Sequence, residues 1–406
     1  MYKLKKVFYQ NSPISLITRS QDLLPCVLPL IYSSLHLRKK AYNTQISNMT
    51  SIKLWYEYWQ EKFNSCFDYQ VLLSNSKYDL FVVIEELNNF WLCLEESKFF
   101  RTMNNETRSK HIYSLSSFLK FLGSRFINIK YMPELSSDLI RQKLTHFHWK
   151  LKSIVESTTQ KSPYYSSNSV VYKSLPDDLI SYLRNTIIPS TKNVLNTLNP
   201  WHRPSSQLRN YIIIKMLLEY GLRVGELLSL TINSIKPNLS GKGYSLIITT
   251  DLSQVDTRVK PASIKNNSSH RSLYLTELDY NLLELYIATQ RGLLEHAFVF
   301  TADRSSAPLS SKQVSNILKE LEKSIHKQDP TYSKIHITPH SLRHTWATKS
   351  LKYFIENEGN DMELALDKLR NLGGWAINSS VPNYYAYRYI HTRANEANLT
   401  RIKSVK

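Results

Sequence analysis

Apolar side chains in the N-terminal part of the chain recur mostly at helical spacing. Within residues 47–94, for example, Trp55, Tyr58 and Trp59 follow one another at positions i, i+3 and i+4. The same period returns in segments that begin near residues 105 and 136. We therefore predict a helical N-terminal region whose aromatic side chains form a packed core.

The rest of the chain mixes helical and strand patterns. Residues 208–220 are apolar at the helical period, and Gly221 stands where the C-terminal cap of a helix belongs. Residues 244–250 and 272–276 have the pattern of strands, with a turn-rich segment between them. Helical patterns follow at residues 276–291, 311–326 and 340–354. The sequence thus predicts a mainly α protein with a small antiparallel β-sheet, which is an α+β fold.

Local composition divides the chain into four parts. Residues 156–172 are rich in serine and threonine and poor in charge, as linkers are. They follow a helical region at residues 75–155 and precede a larger second domain at residues 173–406. The prolines and mixed polarity of residues 1–45 favour an extended or loosely packed arm, so we expect residues 1–74 to be an N-terminal arm or accessory segment.

The net charge points to a polyanionic partner. Lys and Arg number 52 against 33 Asp and Glu, which gives a formal charge of +19, and nucleic acid is the first candidate for such a partner. A host whose proteins are generally basic is the alternative explanation. Hydrophobic residues make up 42% of the chain, as is typical of a globular protein that buries real cores.

Cysteine content and hydropathy exclude several other classes. Cys26, Cys66 and Cys93 lie far apart in the sequence, which fits neither a zinc framework nor a secreted disulfide scaffold and agrees with a reducing cytosol. The longest apolar run near the N-terminus, residues 23–31, is too short to span a bilayer and lacks the cleavage site of a signal peptide. We expect a cytoplasmic protein with no membrane partner.

Four short segments of the second domain carry candidate chemistry. The first, residues 220–230, reads YGLRVGELLSL and places Arg223 at the start of a helix, where a guanidinium group and backbone amides together bind a phosphate well. The second, residues 264–275, reads IKNNSSHRSLYL and places Lys265 at a turn before a strand. Alone, such an arginine is more often part of an ion pair, and such a lysine is usually a solvated charge.

The other two segments lie near the C-terminus. Residues 340–348 read HSLRHTWAT, in which His340 and Arg343 are three positions apart and share one helical face. Residues 372–385 begin with LGGW and end with NYY, so that Trp375 precedes Tyr384 by nine positions. Each of these segments alone also fits an ordinary helix with core aromatics.

Together and in this order, the four segments resemble the tyrosine recombinase (phage integrase) family over roughly residues 173–395. The first two resemble the family's first arginine box and the hairpin that carries its lysine. The other two are similar to its His-x-x-Arg box and to its terminal box, in the variant with tryptophan where many members have histidine. The resemblance implies a tyrosine-recombinase catalytic domain preceded by a helical core-binding domain for DNA, here residues 75–155.

The resemblance implies a role for each matching residue around the scissile phosphate. Arg223 and Arg343 would clamp this phosphate. His340 would donate a hydrogen bond to it and assist proton transfer. Trp375 would pack over the site and offer its indole N–H to a phosphate oxygen.

The resemblance also implies which residues break and form bonds. Tyr384 would be the nucleophile that forms a 3′-phosphotyrosyl bond, Lys265 would protonate the leaving 5′-hydroxyl, and Glu226 would support the site. A free tyrosine has a pKa of about 10, and neighbouring guanidinium groups favour its phenolate. Exchange of one phosphodiester for another is nearly neutral in energy, so no ATP is needed. The arginines supply the positive charge, so neither a metal nor another cofactor is implied.

Two residue assignments and the biological role stay open. Spacing favours Tyr384 as the nucleophile, with Tyr385 next, and Lys265 competes with Lys260. The family resemblance favours the integrase or transposase of a mobile element, which assembles as a homotetramer on two double-stranded DNA sites, with accessory or directionality proteins. Such a protein would be associated with the nucleoid. A topoisomerase of type IB that relaxes DNA, or an inactive DNA-binding accessory protein, are the alternatives.

Overall fold

The computed structural model comprises two compact units, Met1–Ser169 and Val170–Lys406. It describes residues 2–9, 12–72, 80–96, 103–127, 136–159, 174–191, 193–238, 241–251, 253–258, 260–264, 267–303 and 305–404. In these described residues helices dominate both units, and each unit has one small antiparallel sheet, which confirms the predicted fold class. Within the described ranges, none of the helices is long and apolar enough to cross a membrane.

The N-terminal unit begins with a hairpin and continues as helices. Strands β1 (Tyr2–Tyr9) and β2 (Ser12–Arg19) pair antiparallel along their whole length. The helices that follow are α1 (Val27–Tyr32), α2 (Tyr42–Phe63), α3 (Phe67–Leu72), α4 (Leu80–Glu96), α5 (Asn105–Leu122) and α6 (Ser137–Thr159). Trp55 and Trp59 of α2 are fully buried with their rings against Phe67, so α2 supplies the centre of an aromatic core.

The first 72 residues share this core with the later helices. Tyr2 of β1 and Ile17 of β2 belong to the same cluster of buried side chains as Leu87 of α4 and Phe118 of α5. The described part of residues 1–74 is therefore a folded half of the unit and not a loosely packed arm. The boundary expected at residue 74 does not separate two compact bodies.

A buried carboxylate fixes the start of the helical part. Asp68 of α3 accepts hydrogen bonds from the backbone amides of Val27 and Leu28 at 2.7 and 3.2 Å and from the hydroxyl of Tyr56 at 2.6 Å. The first amides of a helix have no partner within the helix, so this carboxylate caps α1 from a distant part of the chain. Such a long-range cap leaves no local signal in residues 1–45.

The expected linker at residues 156–172 is described only at its beginning. Helix α6 runs to Thr159, so residues 156–159 are helical. Residues 160–172 of that segment lie outside the described residues. The division between the two compact units, after Ser169, falls within it.

The C-terminal unit surrounds a buried helix. Its elements are α7 (Asp177–Ile187), α8 (Pro204–Leu218), α9 (Val224–Ser229), β3 (Ile235–Pro237), β4 (Tyr244–Ile248), β5 (Arg271–Leu275), α10 (Glu277–Tyr286), α11 (Ser311–Gln328), α12 (Pro339–Glu356), α13 (Met362–Gly373) and α14 (Val381–Ser404). Most residues of α8 are buried on every side, as expected of a central helix. The strands pair antiparallel in the order β3-β4-β5. Strand β3, which the sequence pattern missed, has only three residues.

Two glycines shape the turns that meet at the site. Gly221 follows α8 with φ of 63°, and a Cβ there would lie 2.1 Å from the ring of Trp346. Gly374 caps α13 with φ of 60°, and its Cβ would lie 2.9 Å from Cα of Ser269. A side chain at either position would be strained and would clash, so glycine allows these segments to approach one another.

Candidate active site

Arg223 joins three distant parts of the chain at the N-terminus of α9. It is the N-cap residue, and its backbone amide donates a hydrogen bond to Oε2 of Glu226 at 2.9 Å. Its Nη1 also contacts the Glu226 carboxylate and donates to Oγ of Ser269 at 3.1 Å. Its Nη2 donates to the carbonyl oxygen of Gly374 at 3.1 Å. The first arginine segment therefore meets Ser269, two residues before β5, and the turn before Trp375.

The carboxylate of Glu226 lies among three arginines and is 1% exposed. It pairs with Arg223, accepts a hydrogen bond from Nη2 of Arg271 at 3.0 Å, and lies 3.9 Å from Nη1 of Arg343. Burial acts to raise the pKa of Glu226, but the hydrogen bond from Arg271 and the charges of Arg271 and Arg223 outweigh it and hold the pKa below its usual value. Three guanidinium groups around one carboxylate leave an excess of positive charge, which favours an anion such as a phosphodiester.

Replacement of Glu226 by glutamine is expected to destabilise the protein by about 3 kcal/mol, because it leaves buried arginines without their counter-charge. The depressed pKa fixes the sign of the pH dependence. The stability that Glu226 contributes is present above its unfolded pKa, near 4.5, and is lost as pH falls through the folded pKa. Urea unfolding of the wild type and of Glu226→Gln between pH 3 and 8 measures both effects.

The matched control is Glu219→Gln, which removes a carboxylate from a surface pair. Glu219 bonds to Arg184 at 2.7 Å, and both side chains are partly exposed. We expect this variant to lose less than about 1 kcal/mol. An equal loss in the two variants would contradict the central position given to Glu226.

The guanidinium group of Arg343 donates hydrogen bonds to backbone carbonyls of both glycine turns. Its Nη1 donates to the carbonyl oxygen of Gly221, and its Nη2 donates to that of Gly373 at 2.6 Å. The residue is 4% exposed, and burial, followed by the charge of Arg223, lowers the pKa of its guanidinium to about 9. It therefore remains protonated at neutral pH, and a bound phosphate would relieve its repulsion from Arg223.

Trp375 lies against both arginines. Its ring centroid is 4.4 Å from the guanidinium of Arg343 and 5.8 Å from that of Arg223. The ring of Trp375 also stacks with that of Trp346 of α12, and the two ring centroids are 6.1 Å apart. A Cβ at position 373 would lie 2.0 Å from this ring, so Gly373 allows the indole to fold back over α13. The indole thus forms an aromatic wall beside the arginines.

His340 lies in the first turn of α12 and is exposed. The helix starts at a capping box in which the backbone amide of Ser341 donates to Oγ1 of Thr338 at 3.0 Å, with Pro339 at the first helical position. The ring of His340 meets the ring of His344 edge-on, with centroids 4.2 Å apart. One turn of α12 therefore presents two histidines together with Arg343.

The two candidate tyrosines of α14 differ sharply in environment. Tyr384 is 38% exposed, and its ring lies 6.1 Å from that of His344. Tyr385 is 2% exposed, and its hydroxyl lies 2.7 Å from Nδ1 of His344. Burial raises the pKa of Tyr385 to about 12, although the charge of Arg343 acts in the opposite direction. Only Tyr384 of this pair presents itself to a large substrate.

Lys265 lies outside the described residues, but the chain on both sides of it contacts the first arginine segment. The carbonyl oxygen of Ser263 lies 2.5 Å from where a Cβ of Gly225 would be, so it lies against the start of α9. Ser269 accepts a hydrogen bond from Arg223. Lys260, the alternative, is exposed. The preference for Lys265 stays a prediction.

Arg271 is a structural centre of the site that sequence reasoning did not single out. Its Nε donates to the carbonyl oxygen of Leu372 at 2.7 Å, its Nη1 to that of Ser269 at 2.8 Å, and its Nη2 to Glu226. It therefore ties β5 to both α9 and the end of α13. Its partners lie 45 and 101 residues away, so no local pattern identifies them.

Comparison with known proteins agrees with this geometry. Residues 190–391, about half of the chain, match the model of the phage integrase family. The chain is similar to tyrosine recombinase XerD of Halalkalibacterium halodurans, with 25% identity over 197 residues, 46% of this chain and 54% of that protein. The chain thus spans about half the length of this curated relative.

Two solved structures of the integrase of transposon Tn1549 share the fold. In one, that protein is bound to transposon right-end DNA; the identity is 16%, the TM-score is 0.55, and the match covers 92% of this chain and 100% of that one. In the other it is bound to circular-intermediate DNA, with 15% identity, a TM-score of 0.54 and the same coverage.

Proposed function

We propose that this chain, which belongs to the phage integrase family, is a site-specific DNA recombinase that cuts and rejoins DNA through a 3′-phosphotyrosyl intermediate. The observation that carries the proposal is the convergence of Arg223 and Arg343 on one buried carboxylate, with the ring of Trp375 beside both guanidinium groups. The ring of Trp375 lies 5.9 Å from that of Tyr385, the neighbour of the exposed Tyr384. A cluster of buried arginines on the same unit as an accessible tyrosine supplies the charge and the nucleophile that phosphodiester transfer requires.

The proposed reaction exchanges one phosphodiester for another. The Tyr384 hydroxyl oxygen attacks phosphorus, its proton leaves with His340 acting as acceptor, and a bond from phosphorus to the tyrosine oxygen forms. The bond from phosphorus to the 5′-oxygen breaks, and Lys265 supplies the proton that makes this oxygen a hydroxyl. Arg223 and Arg343 neutralise the extra negative charge of the pentacoordinate transition state. A 5′-hydroxyl from a second strand reverses these steps and frees the tyrosine.

Double-stranded DNA is the proposed substrate, and the N-terminal unit supports it. The first 52 residues contain seven Lys and Arg and one acidic residue, Asp22, which pairs with Arg19 at 2.7 Å. The side chains of Lys3, Lys5 and residues 38–40 are exposed. Exposed cations bind phosphates and release counterions. Residues 75–155, together with the described part of residues 1–74 that packs into the same core, would act as the core-binding domain, and residues 173–406 would act as the catalytic domain.

The proposed biological role is that of the integrase or transposase of a mobile element. The Tn1549 relative was solved with transposon DNA, which supports such a role by likeness of fold. In this role, four copies would assemble on two DNA sites in the nucleoid, and accessory or directionality proteins would select the direction of exchange.

A plasmid experiment separates recombination from the two alternatives. Supercoiled plasmids that carry one copy or two copies of the DNA flanking the protein's own gene are incubated with the protein. We expect recombinant circles only from the plasmid with two copies. Relaxation of a plasmid that lacks this DNA would instead indicate a topoisomerase. DNA binding with no covalent product on any plasmid would contradict the proposed enzyme.

A further inference from the structure

Adjacent tyrosines on α14 are held in opposite environments. The side chains of consecutive helical residues point about 100° apart, so one can be buried while the next is exposed. Tyr385 faces the interior, where its ring meets those of His344 and Trp375 at 5.5 and 5.9 Å. Tyr384 faces outward, although its ring still lies 5.7 Å from that of Tyr385. The position of the buried ring therefore constrains that of the exposed one.

His344 connects this pair to the rest of the site. It follows Arg343 directly, and its ring contacts His340 on one side and both tyrosines on the other. Its Nδ1 lies 2.7 Å from the hydroxyl of Tyr385. This contact between side chains links α14 to the helix that carries the proposed phosphate ligands.

Either tautomer of His344 can make its hydrogen bond with Tyr385. Burial keeps the Tyr385 hydroxyl protonated at neutral pH, since its pKa is raised to about 12. A protonated phenol can both donate and accept, so it donates to Nδ1 in one tautomer and accepts the Nδ1 proton in the other. A hydrogen bond in such a buried place is strong and directional because water does not compete for it.

We propose that Tyr385 and His344 are positioning residues for the Tyr384 nucleophile. Their hydrogen bond fixes the first turn of α14 against α12, so that the exposed Tyr384 oxygen faces a phosphate held by the arginines. The inference rests on the proposed function, because it assigns the pair to the same reaction. The pair does not touch the reacting atoms, and we infer no proton transfer through it.

The same geometry argues against Tyr385 as the nucleophile. Its hydroxyl is buried and bonded to His344. A phosphodiester of a DNA duplex would reach this oxygen only after the bond breaks and the start of α14 moves. Tyr384 needs no such rearrangement.

The test uses four variants of the full chain under single-turnover conditions at saturating DNA. Tyr385→Phe and His344→Leu each remove one side of the hydrogen bond, and the double variant removes both. His344→Asn keeps a hydrogen-bonding group near the position of Nδ1, since an amide can both donate and accept. The matched control is Tyr387→Phe, because Tyr387 is on the same helix and is exposed. The dissociation constant for DNA, the cleavage rate and the thermal midpoint are measured for each variant.

We expect Tyr385→Phe and His344→Leu to cleave DNA ten- to a hundredfold more slowly, with an unchanged dissociation constant, because a small misplacement of a nucleophile has effects of this size. The double variant should be no slower than either single variant, since all three lack the same bond. His344→Asn and Tyr387→Phe should cleave within about threefold of the wild type. A lower thermal midpoint is also expected if the pair is purely structural. A slower cleavage rate with an unchanged dissociation constant for DNA is therefore the result that identifies a positioning role.

Several outcomes would overturn the inference. Unchanged cleavage in Tyr385→Phe would do so, as would a double variant whose loss equals the product of the single losses. His344→Asn as slow as His344→Leu would show that the hydrogen bond at this position is not what matters. Cleavage that survives in Tyr384→Phe but vanishes in Tyr385→Phe is a different failure, because it rejects the proposed nucleophile itself.

Discussion

Replacement of Tyr384 by phenylalanine is expected to abolish covalent attachment to DNA, with a loss of cleavage of at least about 10⁴-fold. The variant lacks the only atom that Tyr384 contributes to the new bond, while the ring and its contacts with His344 and Tyr385 remain. DNA affinity should therefore be unchanged. The measurement is a denaturing gel of the protein after incubation with nicked duplexes, in which a covalent complex migrates as a slower band.

The control for this prediction is again Tyr387→Phe, which should form the adduct at the rate of the wild type. Tyr385→Phe should form it more slowly, but to the same final extent. If Tyr384→Phe forms the adduct and no neighbouring tyrosine has replaced it, the proposed mechanism is wrong.

Replacement of Arg343 by alanine is expected to slow cleavage by about a thousandfold or more, a loss typical of a missing arginine or anion-hole donor. The guanidinium of Arg343 is oriented by two backbone carbonyls and by the ring of Trp375, so its position is set before DNA binds. Arg343→Lys should recover only a small part of the rate. A lysine keeps the charge but lacks the planar fork that satisfies both carbonyls and lies against the indole.

Cleavage rates at saturating DNA measure this effect, and the thermal midpoint of each variant is recorded beside them. Arg393→Ala is the matched control, because Arg393 is exposed on α14 and pairs with Glu396 and Glu356 at the surface. We expect it to cleave at the rate of the wild type. A rate for a folded Arg343→Ala within tenfold of the wild type would exclude Arg343 as a ligand of the scissile phosphate.

Local sequence patterns located most of the helices of both units and two of the five described strands, β4 and β5, because apolar period and caps are local properties. The local patterns did not predict the N-terminal hairpin, and the cause is physical. Its strands lack a clean alternation, and an isolated two-stranded hairpin is unstable by itself. The side chains of Tyr2 and Ile17 stabilise it by packing into the core of later helices, and Asp68 caps α1 from 40 residues away.

The candidate site also contains some residues that local patterns identify and others that only long-range contacts identify. Arg223, Arg343, Trp375 and Tyr384 lie in segments whose order and spacing resemble a known family. Arg271 and His344 lie within two of those segments, but their importance depends on contacts with distant residues such as Leu372 and Tyr385. Spacing favoured Tyr384 over Tyr385, and burial separates the same two side chains, because Tyr384 is exposed and Tyr385 is buried.

The most direct test of the central claim is to identify the residue that carries DNA. The covalent complex formed with a nicked duplex is digested with trypsin and nuclease, and the peptide linked to a nucleotide is sequenced by mass spectrometry. Residues 371–388 form one tryptic peptide that contains Tyr384, Tyr385 and Tyr387. We expect a 3′-phosphate linked to Tyr384. A linkage to any other residue, or no linkage in a protein that cleaves its DNA, would contradict it.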